Sequence, residues 1–135
     1  MTVFVDTSAF LAGLDASDDQ HQRAVDTWKR LLETDTPLLT TNYVLLETIA
    51  VLQHRGGLSP VRRFLDDLLP ALQVYWVSEA DHGAALTALL TADRRQLSLV
   101  DCTSFLVMRR LVLQDAFAFD PHFVEQRFRC LPSAP

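Results

Sequence analysis

Glycine is scarce in this chain of 135 residues: there are four, and none falls in a GxxxxGK[ST] or GxGxxG pattern. A nucleotide site built on a glycine loop is therefore disfavoured, because such loops let backbone amides approach phosphates closely. Cysteine is scarcer still. Cys102 and Cys130 form neither a metal-binding nor a disulfide spacing, which fits a reduced, cytoplasmic compartment. Cys102 has no histidine near it in sequence to serve as a base, so it is expected to be a buried structural thiol rather than a nucleophile. The histidines, His21, His54, His82 and His122, make no HExxH pattern, and zinc hydrolysis is not indicated. No apolar run approaches the roughly 20 residues that span a bilayer. MTVFVD has no basic segment leading into a long apolar one, so no signal peptide is expected.

Positive charge is also in short supply. Asp and Glu number 17 against 12 Lys and Arg, the net charge is -5, and Lys29 is the only lysine. A broadly basic nucleic-acid-binding face is not expected from that balance. Arginines do come in pairs, Arg62–Arg63, Arg94–Arg95 and Arg109–Arg110, with Arg127 and Arg129 further on. Such pairs can meet phosphates locally, but the simpler reading of each is a solvated helix face.

What is present is an ordinary globular composition, 49% hydrophobic and 21% charged. The length suits one core, and no repeat or linker divides it, so residues 1–135 are expected to form a single domain. Residues 2–5 read as a buried strand. Ser17 with Gln20 reads as a capping box opening a helix that carries Ala24, Val25, Trp28, Leu31 and Leu32. A short strand at Leu38–Thr40 and a helix over 42–54, closed by Gly56 and Gly57, come next. Ser59 and Pro60 read as N-cap and first residue of a further helix, ended by Pro70. Strand composition returns at 72–77, Ser78 opens a helix to about Ala92, and a mostly buried helix spans about Asp101 to Leu113. A strand at 116–119 completes an alternation of strands and helical crossovers that predicts an α/β fold with a parallel sheet.

Four acids stand out by position. The apolar runs VFVD, LSLVD and AFAFD end in Asp6, Asp101 and Asp120, and Glu47 lies at the edge of the apolar face of helix 42–54. Ligands of open parallel sheets bind outside the carboxyl ends of the strands. Acids at strand ends would gather there and repel one another unless a cation sat among them. Each acid has a plainer explanation taken alone: Asp6, Asp101 and Asp120 can cap helices, and Glu47 can be a surface glutamate. The joint pattern proposes a site for a hard, oxygen-preferring cation such as Mg²⁺ or Mn²⁺.

The strings VFVDTSAF, TTNYVLLET, LSLVDCTSF and AFAFDPHF resemble the motifs of PIN-domain ribonucleases, and the whole chain resembles a small VapC-type toxin of a type II toxin–antitoxin system. The resemblance implies a three-layer α/β/α sandwich with a central, mostly parallel sheet of four or five strands. It implies an endoribonuclease dependent on Mg²⁺ or Mn²⁺, with Asp6, Glu47, Asp101 and Asp120 as the acidic catalytic and metal-binding residues. Thr7 and Ser8 match hydroxyl positions that support the first aspartate, and as turn or cap residues they are equally at home. Further implications are an RNA substrate, a homodimer, a cognate antitoxin covering the acidic cleft, and operator DNA bound only through that antitoxin.

Two rival readings remain. A phosphotransfer module also clusters acids around Mg²⁺, but it asks for a DxD pair or adjacent early acids with a late lysine, where this chain has Asp6-Thr7-Ser8 and Lys29 alone. A PIN-like interaction or regulatory domain without catalysis would share the fold, although all four acids are present.

Overall fold

The short N-terminal apolar run forms strand β1 (Val3–Val5), every residue of it buried. The structure is a computed structural model and describes residues 1–134. After β1 come α1 (Thr7–Leu14), α2 (His21–Glu33), β2 (Leu38–Thr41), α3 (Asn42–Gly56) and α4 (Leu58–Arg63). The last of these continues through a π-helical turn at Phe64–Leu68 and a 3₁₀ turn at Leu69–Ala71. Strand β3 (Leu72–Tyr75), α5 (Glu79–Ala92), α6 (Leu99–Arg110), β4 (Asp115–Phe117), α7 (His122–Glu125) and β5 (Arg129–Leu131) complete the described chain.

The five strands pair in the order β3-β2-β1-β4-β5, every pairing parallel. Helical crossovers cover the sheet and give the expected α/β/α sandwich. β1, β2 and β4 are buried throughout, whereas the edge strands β3 and β5 are partly exposed, as a covered parallel sheet requires. From β1 the chain steps outward through β2 to β3, then returns to lay β4 on the other side of β1. The winding direction thus reverses between β1 and β4. That reversal leaves a crevice at the carboxyl ends of those two strands.

Several local expectations need correction. LSLV does not lead to a strand end: Leu99 and Val100 are the first turn of α6, Ser98 is its N-cap, and Asp101 is the third helical residue. Ser98 accepts from the Asp101 amide while the Asp101 carboxylate accepts from the Ser98 amide, a reciprocal pair that nucleates the helix. The Ser17–Gln20 box does not form. Ser17 bonds Asp15 instead, Asp18 holds the Gln20 amide, and these tight turns delay α2 to His21. Ser59 is not a cap either, because Gly57, at φ 73°, both ends α3 and precedes α4. Two elements have no sequence forecast: α1, whose TSAFLAGL lacks a polar face, and β5, which is only three residues long.

Trp28 on α2 ties the helical layer to the strands that end at the crevice. Its ring stacks on Phe10 with centroids 5.5 Å apart and meets Phe117 of β4 at 4.9 Å. Its indole N–H donates to the Ala9 carbonyl at 3.2 Å. Gly13 leaves room for that ring: a Cβ there would lie 2.7 Å from Trp28 Nε1. Gly13→Ala is expected to cost about 1–3 kcal/mol by overpacking, read as a lower urea midpoint with the denaturant slope unchanged. An unchanged midpoint would show that Trp28 yields without penalty.

Candidate active site

Asp6 immediately follows β1 and caps α1. Its Oδ2 accepts from the Ser8 amide at 3.1 Å and the Ser8 hydroxyl at 2.6 Å, satisfying a donor that the helix start would otherwise leave orphaned. Ser8 Oγ in turn accepts from the Phe119 amide at 2.9 Å. One hydroxyl therefore joins the exit of β1 to the exit of β4. Thr7 points elsewhere: its hydroxyl donates to the Val44 carbonyl at 3.5 Å and accepts from Thr48 at 3.3 Å, linking α1 to α3.

Asp101 approaches from the first turn of α6, and Asp120 from the turn after β4, where its Oδ1 accepts from the His122 amide at 2.9 Å. The His122 ring folds back over that turn. Its Nδ1 lies 3.0 Å from Asp120 Oδ1 and 3.7 Å from Asp101 Oδ2. One ligand atom each from Asp101, Asp120 and His122 can be chosen so that all three lie within 4.8 Å of one another. Neither Asp6 nor Glu47 belongs to that tight group.

Asp6 is nonetheless bound to it electrostatically. Burial raises its carboxyl pKa most, the two Ser8 hydrogen bonds oppose that, and repulsion from Asp101 and Asp120 adds to it, leaving a value of about 7. Asp101 is also raised, by burial first and then, against the Ser98 amide, by Asp120. Both residues are nearly inaccessible, at 4% and 8% exposure, so water screens their repulsion only weakly. Oxygen donors that cannot comfortably all be ionised together are a donor set suited to a small divalent cation, whose charge would offset their repulsion.

Glu47 is set to one side. Half-buried on α3, it lines an apolar groove with Tyr43, Leu46, Ala50, His82, Leu99 and Val100. The last two lead directly into Asp101. A cleft of about 500 Å³ among α1, α3 and α4 contains none of the four acids. Cys102 is buried and its thiol pushed up by desolvation and by Asp101, an inert rather than reactive setting. Cys130 is pushed up by burial and then by Asp120 and Asp6, which places it at the margin of the site.

His122 is the residue that sequence reasoning missed. Metal-binding histidines are recognised in sequence by paired-ligand spacings, and His122 has none. The available signal was its place two residues after Asp120, across a proline-started turn short enough to return the ring to the acid.

Comparison with known proteins agrees with this geometry. The family model described as PIN domain matches residues 3–128. Proteins from two strains of Mycobacterium tuberculosis named 23S rRNA-specific endonuclease VapC20 are 37% identical over 123 residues, covering 90% of this chain and 91% of theirs. The crystal structure of M. tuberculosis VapC20, described as a sarcin-ricin loop cleaving toxin, superposes with a TM-score of 0.79 at 37% identity, over 93% of this chain and 95% of that one. FitAcB from Neisseria gonorrhoeae shares the fold, with a TM-score of 0.66 at 15% identity over 96% of each chain. Matched along nearly its whole length, with acids gathered where its sheet reverses direction, this chain belongs to the PIN-domain family.

Proposed function

We propose that residues 1–135 form one nuclease domain that hydrolyses phosphodiester bonds in RNA with the help of a divalent cation, acting as the toxin of a toxin–antitoxin pair. The observation that carries this reading is the convergence of Asp6, Asp101 and Asp120 at the reversal point of the sheet, close enough that repulsion from Asp101 and Asp120 adds to the burial that raises the Asp6 pKa to about 7. The named activity of the M. tuberculosis relatives supports a structured ribosomal RNA loop as the substrate class.

In this reading Asp6, Asp101 and Asp120 hold Mg²⁺ or Mn²⁺, and Glu47 faces the approach from α3 and completes the acidic set. A cation held there would supply positive charge to the scissile phosphate and would make an attacking water more acidic. Ser8 keeps the Asp6 carboxylate aimed by donating to it from both amide and hydroxyl. Ser98 keeps Asp101 fixed in the first turn of α6 in the same manner. Positioned oxygens of this kind act by holding geometry rather than by covalent chemistry. Thr7 steadies the same corner by tying α1 to α3. The partners that go with the reading are a second copy of the chain, an antitoxin that covers the acidic cleft, and operator DNA reached only through that antitoxin. No helix among the described residues is long and apolar enough to cross a membrane.

Asp6→Asn and Asp101→Asn should each reduce metal-dependent cleavage of a structured RNA by at least about a hundredfold, with circular dichroism unchanged. Undiminished cleavage in both would remove these residues from the mechanism. Ser8→Ala, which removes the shorter of the two bonds to the Asp6 carboxylate, should lower metal affinity or rate by about 10–100-fold, measured by calorimetric titration and cleavage assay together.

The raised Asp6 pKa also has a consequence for stability without metal. Below pH 3.8 both folded and unfolded chains hold the proton, and no difference arises. Between 3.8 and about 7 the unfolded chain ionises while the folded one resists, so folding loses up to about 1.4 kcal/mol per unit. In EDTA, Asp6→Asn should therefore gain stability relative to the parent as pH rises through that window, and hold a constant lead above it. A stability difference independent of pH, read from urea midpoints, would contradict the burial and repulsion described.

A further inference from the structure

His122 is held in place from both sides in sequence. Pro121 starts the turn, the His122 amide is bonded to Asp120 Oδ1 at 2.9 Å, and Phe123 is wholly buried, its ring edge-on to Phe105 of α6 at 5.0 Å. With its backbone and its neighbour anchored, the imidazole has little freedom to turn toward solvent, and its side chain is 13% exposed. Nδ1 is buried and, despite lying 3.0 Å from one carboxylate oxygen and 3.7 Å from another, makes no hydrogen bond to either. A buried polar atom without a partner is costly, on the order of 1–3 kcal/mol. Such atoms are rare enough in folded proteins to call for a reason.

The three atoms surround one small volume: Asp101 Oδ2, Asp120 Oδ1 and His122 Nδ1. With Nδ1 unprotonated, its lone pair and the two nearby carboxylate oxygens repel one another when nothing positive lies between them. The same arrangement is two carboxylates and one imidazole of a mixed N/O coordination shell, which Mn²⁺ accepts readily and Mg²⁺ accepts poorly. We infer that His122 is itself a ligand of the metal centre, through Nδ1, and that it biases this nuclease toward Mn²⁺ or another transition ion over Mg²⁺. The inference rests on the proposed role of the acids and goes beyond it, because an imidazole nitrogen discriminates against Mg²⁺ more strongly than carboxylates do.

The test uses the whole chain with Mn²⁺ and Mg²⁺ as probes and calorimetric titration as the readout. His122→Asn and His122→Ala should each weaken Mn²⁺ binding by about tenfold or more while changing Mg²⁺ binding little, so that the preference for Mn²⁺ collapses. In the unmutated protein, pulsed electron paramagnetic resonance should detect a nitrogen coupled to bound Mn²⁺, a measurement that does not depend on either variant folding. Coupling absent from the Mn²⁺-loaded protein overturns the inference. So does Mn²⁺ binding that is equal or tighter in the variants, the result expected if the ring is an imidazolium competing with the ion for Asp101 and Asp120. Asp101→Asn separates the two levels: if it abolishes binding of both ions while the His122 variants bind Mn²⁺ as tightly as the unmutated chain, the acidic centre stands and only the imidazole ligand falls. If the unmutated chain binds neither ion, both are wrong.

Discussion

Like charges forced together in a poorly hydrated crevice are the constraint around which the rest of this structure is arranged. Asp6, Asp101 and Asp120 arrive from three separate elements, and two of them are almost inaccessible to water. Left alone, each would favour taking up a proton or swinging away. Neither escape is free here. Ser8 and Ser98 donate to Asp6 and Asp101, bonds that favour the ionised form of those two acids, and the His122 amide holds Asp120 in place. The fold supplies rigidity, and the carboxylates are the groups it constrains.

That rigidity has an identifiable source. Three buried strands, β1, β2 and β4, lie side by side, and Trp28 bridges Phe10 and Phe117 across α1 and β4. The residues after β1 and β4 are therefore the ends of the best-packed part of the molecule. Asp81, buried at the start of α5, accepts from Tyr75 and pairs with Arg110 at the end of α6. Burial raises its pKa, but those partners and Ser78 outweigh it and hold the carboxylate below its ordinary range. This ion pair fastens α6 at the end opposite Asp101.

Much of this could be read from the amino-acid order, and the failures have physical causes. VFV and AFAF announce buried strands because central parallel strands are apolar on both faces, and the acids that follow them stood out for that reason. LSLVD gave the same signal for a different structure, since an apolar first turn of a buried helix is indistinguishable by hydropathy from a strand. The serine three residues before Asp101 was the discriminating clue. β5 could not be found locally, because Arg129–Leu131 becomes a strand only by pairing with β4. α1 is buried on several sides and so lacks the polar face by which helices are recognised. His122 was out of reach for another reason: its importance lies in a ring folded back over a turn.

The order of the strands also bears on when the acidic cluster can first assemble during synthesis. β4 lies against β1 although nearly the whole polypeptide separates them, and Asp120 and His122 follow β4 rather than precede it. A ribosome synthesising this protein releases Asp6 well before Asp101, Asp120 and His122. A nascent fragment that stops short of β4 cannot assemble the cluster, so the site closes only after Asp120 and His122 have left the ribosome.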